Sequence, residues 1–300
     1  MNTNFEVSEN FISLEGEAKY TNRPTIYTRL ARCNFKCSFF NNPTKERAKS
    51  GYAPLPFDPQ DYDKLEDLPL IDIGCDSQYS VNPEFKHLWR KLSIDQLIDE
   101  LENLLPHGKW IHPHTGLPVI YSLTGGEPTL HWKKLPLIFL HSRMKECRHI
   151  LVETNAAVPS KQPFYDGIAQ WLSEDSRRQW TWSISPKLSV SGETKDEALK
   201  PEIFRDMYAL VERYPQQCDI YLKYVCDDVD SDFAEVEEFN RAYFEVLPEG
   251  AEVHTWIMPV ACTDDQQNKI ARAVATRCIR DGYGFSYRTQ NALWGNGVGT

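Results

Sequence analysis

The sequence predicts an α/β fold, in the form of an open, partial (βα)6 barrel that occupies a single domain over residues 1–300. Short apolar segments alternate with amphipathic helical segments along most of the chain. This alternation is typical of a parallel sheet with helical crossovers. About six such units can be counted, fewer than the eight of a closed barrel. Neither an internal repeat nor a linker-like composition indicates a second domain.

Each element follows from a local pattern. Alternating apolar positions and β-branched residues predict the first strand at residues 25–30. An apolar face together with a capping box of Ser93 and Gln96 predicts a helix at 93–105. The same patterns predict strands at 119–123, 149–153, 180–185, 219–225 and 252–259, helices at 201–214, 230–245 and 264–281, and a trailing piece around 285–288.

Composition excludes several classes of function. The formal net charge is −10 and no basic tract is present, which argues against direct binding of nucleic acid or of an anionic membrane. No apolar run has the roughly eighteen residues of a membrane span, and the polar residues 1–10 do not resemble a signal peptide. Eight cysteines are too sparse for a disulfide scaffold. We therefore expect a cytoplasmic protein with metal-bound or buried thiols.

Three of these cysteines are candidate metal ligands. Cys33 and Cys37 follow the first predicted strand, and the next cysteine in the sequence is Cys75. Thiolates on a tight loop suit an iron–sulfur cluster, and three of them leave one iron of a four-iron cluster open. Residues 38–74, with five prolines, are expected to form an irregular insertion, with a short helical turn around 61–68 and both ends at the cluster. The alternative is that these are ordinary buried thiols.

Polar residues follow the predicted strands. Gly125, Gly126 and Glu127 come after the second strand, and a double glycine lets the backbone approach a ligand closely. The following strands end in Thr154 and Asn155, and in Ser185 and Lys187. Each motif alone is more often a simple turn, but the carboxyl ends of the strands carry the active site in β/α barrels. Their recurrence therefore favours a site.

Together these motifs resemble the radical SAM superfamily and, within it, the 7-carboxy-7-deazaguanine synthase family. Arg29-Leu30-Ala31-Arg32-Cys33-Asn34-Phe35-Lys36-Cys37 resembles the first half of the family's cysteine motif, and Cys75-Asp76-Ser77-Gln78-Tyr79 its second half. The resemblance implies a 4Fe-4S cluster on Cys33, Cys37 and Cys75, with Mg²⁺ bound partly through Ser77. It also implies that S-adenosylmethionine is held by the residues after the strands, namely Gly125, Gly126, Glu127, Thr154, Asn155, Ser185 and Lys187.

The segment before the first predicted strand resembles the family's substrate loop. Ser13-Leu14-Glu15-Gly16-Glu17-Ala18 is similar to the family's S-x-Q-G-E-G, with Glu15 in place of the glutamine and Ala18 in place of the last glycine. The resemblance implies that Glu15, Gly16 and Glu17 contact a pterin and that Arg29 pairs with its carboxylate. The glycine-rich ending at 294–300 resembles a family tail that folds back toward the active site.

The resemblance implies an enzyme that converts 6-carboxy-5,6,7,8-tetrahydropterin to 7-carboxy-7-deazaguanine with loss of ammonia, initiated by a 5′-deoxyadenosyl radical. It also implies a carbon–nitrogen lyase of queuosine-type biosynthesis, an electron donor such as a flavodoxin, and a homodimer. Two alternatives remain open at this point. One is another radical SAM enzyme, such as a glycyl-radical activase. The other is a non-catalytic binding protein, which gains weight if Phe40 holds the third position of the cysteine motif.

Overall fold

A computed structural model describes residues 3–295 and 297–299 of the chain. Its strands form one sheet in the order β3-β1-β2-β4-β5-β6-β7-β8-β9. The strands β2 and β4 to β9 run parallel in sequence order, whereas β1 pairs antiparallel with both β2 and β3. The fold is therefore α/β with an open, partial barrel, as the sequence predicts. The strands are β1 (Phe5–Leu14), β2 (Pro24–Leu30), β3 (Arg90–Leu92), β4 (Ile120–Gly125), β5 (His149–Thr154), β6 (Gln179–Ile184), β7 (Cys218–Cys226), β8 (His254–Pro259) and β9 (Gly284–Phe285).

Helices fill most of the connections between the parallel strands. The predicted capping box is present at the start of α2, where Ser93 and Gln96 exchange hydrogen bonds, and Thr263 forms a second one at α8. These boxes satisfy backbone N–H groups that the first helical turn leaves unpaired. The helices are α1 (Gln78–Val81), α2 (Ile94–Leu104), α3 (Leu135–Phe139), α4 (Gln162–Ser173), α5 (Lys195–Ala198), α6 (Pro201–Arg213), α7 (Asp230–Glu245), α8 (Asp264–Asp281) and α9 (Thr289–Trp294).

The core lies between the sheet and its helices. The central strands are apolar over consecutive residues because both of their faces are buried, as Ile150, Leu151 and Val152 of β5 show. Trp171 and Trp180 are fully buried with their ring centroids 6.1 Å apart in an edge-to-face arrangement. Such aromatic pairs add to the stabilisation from burial itself.

One sequence prediction is wrong in its order. Residues 25–30 were expected to form the first strand, but β1 precedes them and pairs antiparallel with β2. Its buried apolar residues Phe5, Val7 and Phe11 are separated by Ser8 and Glu9, which are also buried and have polar partners, so the apolar alternation is interrupted. Helix α4 lies between two predicted strands and was not predicted from the sequence. The assignment to one domain remains a prediction.

The insertion at 38–74 is irregular, as expected. Its only regular pieces among the described residues are two short 3-10 turns, Pro59–Asp61 and Leu65–Asp67. Its ends meet, since the backbone N–H of Gly74 donates to the carbonyl of Phe40 over 2.6 Å. Leu65 and Ile71 of the insertion form a small apolar cluster with three residues that follow it, namely Tyr79, Phe85 and Leu88. This cluster is separate from the main core.

Two further expectations concern the ends and the exterior of the chain. Among residues 3–295 and 297–299, no helix is both long enough and apolar enough to cross a membrane. In the carboxyl-terminal tail, the backbone N–H of Gly299 donates to Glu9 and Val298 packs against the apolar cluster of the insertion. Asn296 and Thr300 of the predicted tail lie outside the described residues.

Candidate functional site

A cavity opens at the carboxyl ends of the parallel strands. It is lined by β1, by the loop after β2, by the end of the insertion and by the ends of β4 to β8. Of the site residues predicted from the sequence, Gly16 alone does not line this cavity. The residues that line it are Glu15, Glu17, Arg29, Cys33, Cys37, Cys75, Ser77, Gly125, Gly126, Glu127, Thr154, Asn155, Ser185 and Lys187. Residues far apart in the sequence therefore share one chamber.

The insertion returns the third cysteine to the first two. Cys33, Cys37 and Cys75 all line the cavity, together with Phe40, the alternative occupant of the third motif position. Burial raises the pKa of the Cys33 thiol to about 12, and burial likewise raises the pKa values of Cys37 and Cys75 above the ordinary thiol value. Neutral buried thiols of this kind release their protons when a metal binds. The set is three sulfur donors, which suits iron in a cluster.

This arrangement does not form a site for a single metal ion. Within the described ranges, no group of three or more His, Cys, Asp or Glu side chains is placed to hold one ion. Each thiolate of a cluster binds a different iron atom, so its ligands do not converge on one point. The donor set therefore fits a cluster better than a mononuclear zinc site, which needs four ligands around one ion.

The double glycine brings the end of β4 against the cysteine loop. The N–H of Gly126 donates to the carbonyl of Leu30 over 2.8 Å, and the N–H of Glu127 donates to that of Arg32 over 2.9 Å. A Cβ atom at Gly126 would lie 1.7 Å from the carbonyl oxygen of Arg32. Gly125 has a φ of +103°, which side-chain-bearing residues rarely adopt. Both glycines are thus required by the close approach of these two loops.

The carboxylate of Glu127 ties two strand ends together. One oxygen, Oε1, accepts hydrogen bonds from the Thr129 N–H and hydroxyl and from the Thr154 hydroxyl, at 2.6–3.0 Å. The other, Oε2, accepts from the N–H of Asn155 over 2.7 Å. These protein donors compensate the burial of the carboxylate. They also engage both oxygen atoms of a side chain that the resemblance places at S-adenosylmethionine.

Asn155 links the end of β5 to the first cysteine. Its side-chain amide donates to Asn34 Oδ1 over 2.8 Å and lies 3.8 Å from the sulfur of Cys33. The N–H of Phe35 also donates to that sulfur, at 3.4 Å. Such N–H···S contacts stabilise negative charge on a thiolate. After β6, the Lys187 ammonium donates to the Ser185 hydroxyl over 2.9 Å.

The predicted substrate loop carries two carboxyl groups whose pKa values are shifted in opposite directions. Burial, followed by the nearby carboxylates of Glu153 and Glu17, raises the pKa of Glu15 to about 8. Burial alone would also raise the pKa of Glu17, but the Lys223 ammonium and then the Arg288 guanidinium hold it below its ordinary value. Glu15 is thus mainly protonated at neutral pH while Glu17 is ionised and paired with Lys223.

Gly16, between them, lies beneath the carboxyl-terminal segment. A Cβ atom at Gly16 would overlap the side chain of Gln290, at 1.0 Å from its Oε1. The carbonyl of Gly16 accepts a hydrogen bond from the N–H of Thr289 over 3.1 Å. Its role is therefore to let residues 289–290 close over the substrate loop.

Arg29 and Ser77 contact each other in the structure. Arg29 Nε lies 2.8 Å from Glu9 Oε1, and its Nη1 donates to Ser77 Oγ over 3.0 Å. The neighbouring Asp76 carboxylate accepts from Arg288 Nη1 over 2.6 Å. The oxygen atoms of Ser77 and Asp76 are thus engaged by guanidinium groups. Mg²⁺ binds oxygen ligands, so Ser77 Oγ would be open to it only once Arg29 releases this oxygen.

Sequence reasoning missed several residues of the cavity. Lys223 in β7 and Arg288 after β9 provide buried cations, and Cys262 is a fourth cysteine in the lining. Four buried polar atoms of the lining have no hydrogen-bond partner among the described residues, namely Arg29 Nε, Arg288 Nε, Gln290 Oε1 and Asn291 Nδ2, although Arg29 Nε forms an ion pair with Glu9. Unpaired buried polar groups of this kind indicate a polar ligand. A lysine inside the apolar strand 219–225 was the available signal for Lys223.

Comparison with known proteins gives a consistent group of relatives. The chain is 23% identical over 293 residues to the 7-carboxy-7-deazaguanine synthase of Pyrobaculum aerophilum, covering 98% of this chain and 96% of the relative. It is 25% identical over 300 residues to that of Halobacterium salinarum, covering 96% and 90%. A solved structure titled "Crystal structure of QueE from Escherichia coli" aligns with 18% identity and a TM-score of 0.49, over 95% and 94% of the two chains. No family model matches the chain.

The similarity to the two archaeal proteins extends over almost the whole of this chain and of theirs. It therefore includes the substrate loop, the cysteine motif and the later strand ends. Over almost its whole length, the chain is a relative of the 7-carboxy-7-deazaguanine synthases and, through them, of the radical SAM enzymes.

Proposed function

We propose that this protein is a radical SAM lyase that converts 6-carboxy-5,6,7,8-tetrahydropterin to 7-carboxy-7-deazaguanine with loss of ammonia. The observation that carries the proposal is the cavity in which Cys33, Cys37 and Cys75 meet the glycine turn of Gly125 and Gly126. The curated relatives over the full length carry the name of this activity. Queuosine-type biosynthesis is the corresponding setting.

The three cysteines would hold a 4Fe-4S cluster, leaving one iron without a protein ligand. The glycine turn with Glu127, together with Thr154, Asn155, Ser185 and Lys187, would surround S-adenosylmethionine. When bound, the cluster supplies the electron that cleaves S-adenosylmethionine, whose radical product abstracts hydrogen from the pterin. The protein supplies position and exclusion of water.

The pterin would lie against the substrate loop and the buried cations. Glu17 is fixed by Lys223 and presents an ionised oxygen for ring N–H groups. Protonated Glu15 both donates and accepts, as the glutamine of related chains would. Arg288 Nε has no hydrogen-bond partner among the described residues, although it lies 4.0 Å from Glu17 Oε1, and it is a donor for the substrate carboxylate in addition to Arg29. A guanidinium is well suited to this because it binds a carboxylate through two parallel hydrogen bonds.

Mg²⁺ at Ser77, a homodimer, a flavodoxin as electron donor and a cytoplasmic location are proposed on the resemblance in the sequence. For Mg²⁺, Arg29 would have to release the Ser77 oxygen first. No step above depends on the ion.

The test is an anaerobic assay of reconstituted protein with dithionite, S-adenosylmethionine and 6-carboxy-5,6,7,8-tetrahydropterin, followed by mass spectrometry. We expect 7-carboxy-7-deazaguanine and 5′-deoxyadenosine from the wild type and neither from Cys75→Ala. Cys262→Ala is the matched control, because it removes a buried thiol of the same cavity and should retain activity. Cleavage of S-adenosylmethionine without this product would indicate another radical SAM reaction. A protein that binds no iron and cleaves nothing would be the non-catalytic descendant.

A further inference from the structure

The substrate loop continues into a turn with a strained backbone. Ala18 begins the 3-10 turn Ala18–Tyr20, and its φ of +50° lies in the left-handed region, which residues with a side chain rarely adopt. A conformation of this kind persists only where the surrounding structure determines it. The N–H of Ala18 donates to Ser286 Oγ over 2.8 Å, which is one such restraint. The contacts that hold this turn also set the positions of Glu15 and Glu17, which directly precede it.

Two side chains of the turn meet one carboxylate oxygen of β7. The Tyr20 hydroxyl donates to Asp219 Oδ2 over 3.0 Å, and Lys19 Nζ lies 2.7 Å from the same oxygen. The Lys19 side chain is 42% exposed, and exposed ion pairs contribute little to stability. The hydroxyl of Tyr20 is partly buried and its acceptor is charged, so its hydrogen bond is the stronger of the two contacts. We call the hydrogen bond between Tyr20 and Asp219 the loop anchor.

Tyr20 is also held by the two strands next to β7. Its ring packs edge-to-face against His149 of β5, with the ring centroids 4.6 Å apart. The Thr181 hydroxyl of β6 donates to the Tyr20 oxygen over 3.3 Å, and His149 Nε2 lies 2.9 Å from the Thr181 oxygen. Because each hydroxyl has a single hydrogen, the donors run in one direction, from the histidine to the carboxylate of Asp219. Three neighbouring strands therefore fix the position of one residue of the turn.

Strand β7 holds the loop at a second point. Lys223 pairs with Glu17 and lies four residues after Asp219, so the two side chains project from the same face of the strand. Lys223 lines the cavity, whereas Asp219 is the second residue of β7, about 13 Å away along the strand. The loop and its turn are thus fixed to one strand both inside the cavity and at the opposite end of the sheet.

We propose that Asp219 is a positioning residue for the pterin, acting through the hydroxyl of Tyr20. Asp219 fixes the turn, and the turn places Glu15 and Glu17 against the pterin ring. The inference rests on the proposed function, because it takes the substrate loop as the pterin site. The residues proposed for S-adenosylmethionine lie at the ends of β4, β5 and β6 instead. The loop anchor should therefore control the affinity for the pterin and leave that for S-adenosylmethionine unchanged.

The test compares the reconstituted wild type with three variants of the turn and its partner and with one control. Asp219→Ala removes the acceptor, Tyr20→Phe removes only the hydroxyl, and Lys19→Met removes only the exposed ion pair. Asp175→Ala is the matched control. The Asp175 carboxylate lies 2.7 Å from Arg177, is 21% exposed against 28% for Asp219, and precedes β6 at the same end of the sheet.

Calorimetry measures the Kd of 6-carboxypterin and, separately, that of S-adenosylmethionine. The oxidised pterin is used because its C6 carries no hydrogen to abstract, so it binds without reaction. We expect Asp219→Ala and Tyr20→Phe to raise the Kd of 6-carboxypterin at least about fivefold. Lys19→Met and Asp175→Ala should change it by less than about twofold. The Kd of S-adenosylmethionine should stay within about twofold in all five proteins.

Three results would overturn the proposal. The first is a Kd of 6-carboxypterin that is the same in Asp219→Ala and Asp175→Ala. The second is a parallel rise in the Kd of S-adenosylmethionine, which a general loosening of the fold would produce. The third is a loss of pterin affinity in Lys19→Met without a loss in Tyr20→Phe, which would contradict the route through the hydroxyl.

Hydrogen exchange separates this proposal from the proposed function, because it needs no ligand. The N–H of Asn22 donates to the carbonyl of Glu15 over 2.6 Å, and the N–H of Glu15 donates to that of Arg23 over 2.7 Å. Mass spectrometry of peptides that cover 15–22 should show exchange at least about fivefold faster in Asp219→Ala and unchanged in Asp175→Ala. Unchanged exchange in Asp219→Ala would contradict the loop anchor. If the wild type does not bind 6-carboxypterin, the proposed function fails, and the exchange still decides whether Asp219 fixes the loop.

Discussion

Replacement of Glu15 by glutamine should stabilise the protein in a manner that grows with pH. The carboxyl of Glu15 is buried, accepts a hydrogen bond from the Tyr27 hydroxyl over 3.1 Å and has neighbouring carboxylates. Burial and the carboxylates of Glu153 and Glu17 raise its pKa from 4.5 to about 8, although the hydrogen bond from Tyr27 acts in the opposite direction. A glutamine has nearly the same shape as the protonated acid but cannot ionise. The variant Glu15→Gln therefore keeps the neutral form at every pH.

The magnitude follows from proton linkage. A raised pKa in the folded state contributes stability that is fully present below pH 4.5 and is lost as the pH rises through about 8. Each pH unit within this window changes the free energy of unfolding by about 1.4 kcal/mol. The advantage of Glu15→Gln over the wild type should thus be near zero at the acidic end and about 3 kcal/mol at neutral pH.

The assay is urea unfolding followed by tryptophan fluorescence, at a series of pH values across this window. An infrared spectrum should also show a protonated carboxylic acid band that disappears in Glu15→Gln. Glu17→Gln is the matched control, because Glu17 is ionised and paired with Lys223. Its loss leaves the buried Lys223 ammonium with the more distant Glu153 carboxylate, at 3.7 Å, and destabilises by about 3–5 kcal/mol. A constant effect of Glu15→Gln at all pH values, with no acid band in the wild type, would refute the assignment.

Three further predictions concern stability. His149 is buried, and burial with nearby Arg23 lowers its pKa to about 3. Because an unfolded histidine binds a proton below about pH 6.5, the free energy of unfolding of the wild type should fall by about 2 kcal/mol between pH 7 and pH 5. The variant His149→Gln should not show this slope in urea unfolding. Gly126→Ala places a Cβ against backbone atoms and should lower the iron content and the melting temperature. In the control Gly116→Ala, the Cβ meets nothing within 4 Å, so the substitution should cost only about 1–2 kcal/mol of stability for its left-handed backbone. Equal effects of the two substitutions would contradict the packing argument. Lys223→Met leaves a carboxylate buried without its partner and should cost about 3–5 kcal/mol in the same unfolding assay, and a loss below about 1 kcal/mol would show that the pair is not buried.

The periodic elements were the most predictable part of the fold. Helices α7 and α8 begin and end where the sequence predicts, at Asp230–Glu245 and Asp264–Asp281. A long amphipathic pattern is a local signal, and so is the capping box of Thr263 at α8. Strand β1 was missed because the buried polar residues Ser8 and Glu9, whose partners come from elsewhere, interrupt its apolar alternation. Ser8 pairs with the Ser80 hydroxyl 72 residues away, a partnership that no local pattern reveals.

The same contrast between local patterns and distant partners separates the site residues that were predicted from those that were missed. Its cysteines and its double glycine lie in short motifs, so the sequence alone indicated them. Lys223 and Arg288 were missed because their partners, Glu17 and Asp76, lie 206 and 212 residues away. The charge of a buried group is also a tertiary property. Glu15 and Glu17 are chemically alike in the sequence, and the positions of Lys223, Arg288 and Glu153 give them opposite protonation states.

The most direct test of the split cysteine motif is the iron and sulfide content of the anaerobically reconstituted protein, with the EPR spectrum of the reduced cluster. Wild type, Cys75→Ala and Cys262→Ala are compared, since both thiols are lining residues of one cavity. If Cys33, Cys37 and Cys75 are the ligands, the wild type and Cys262→Ala hold about four irons per chain, and Cys75→Ala loses the 4Fe-4S signal. Equal iron content and equal EPR spectra in wild type and Cys75→Ala would contradict the split cysteine motif.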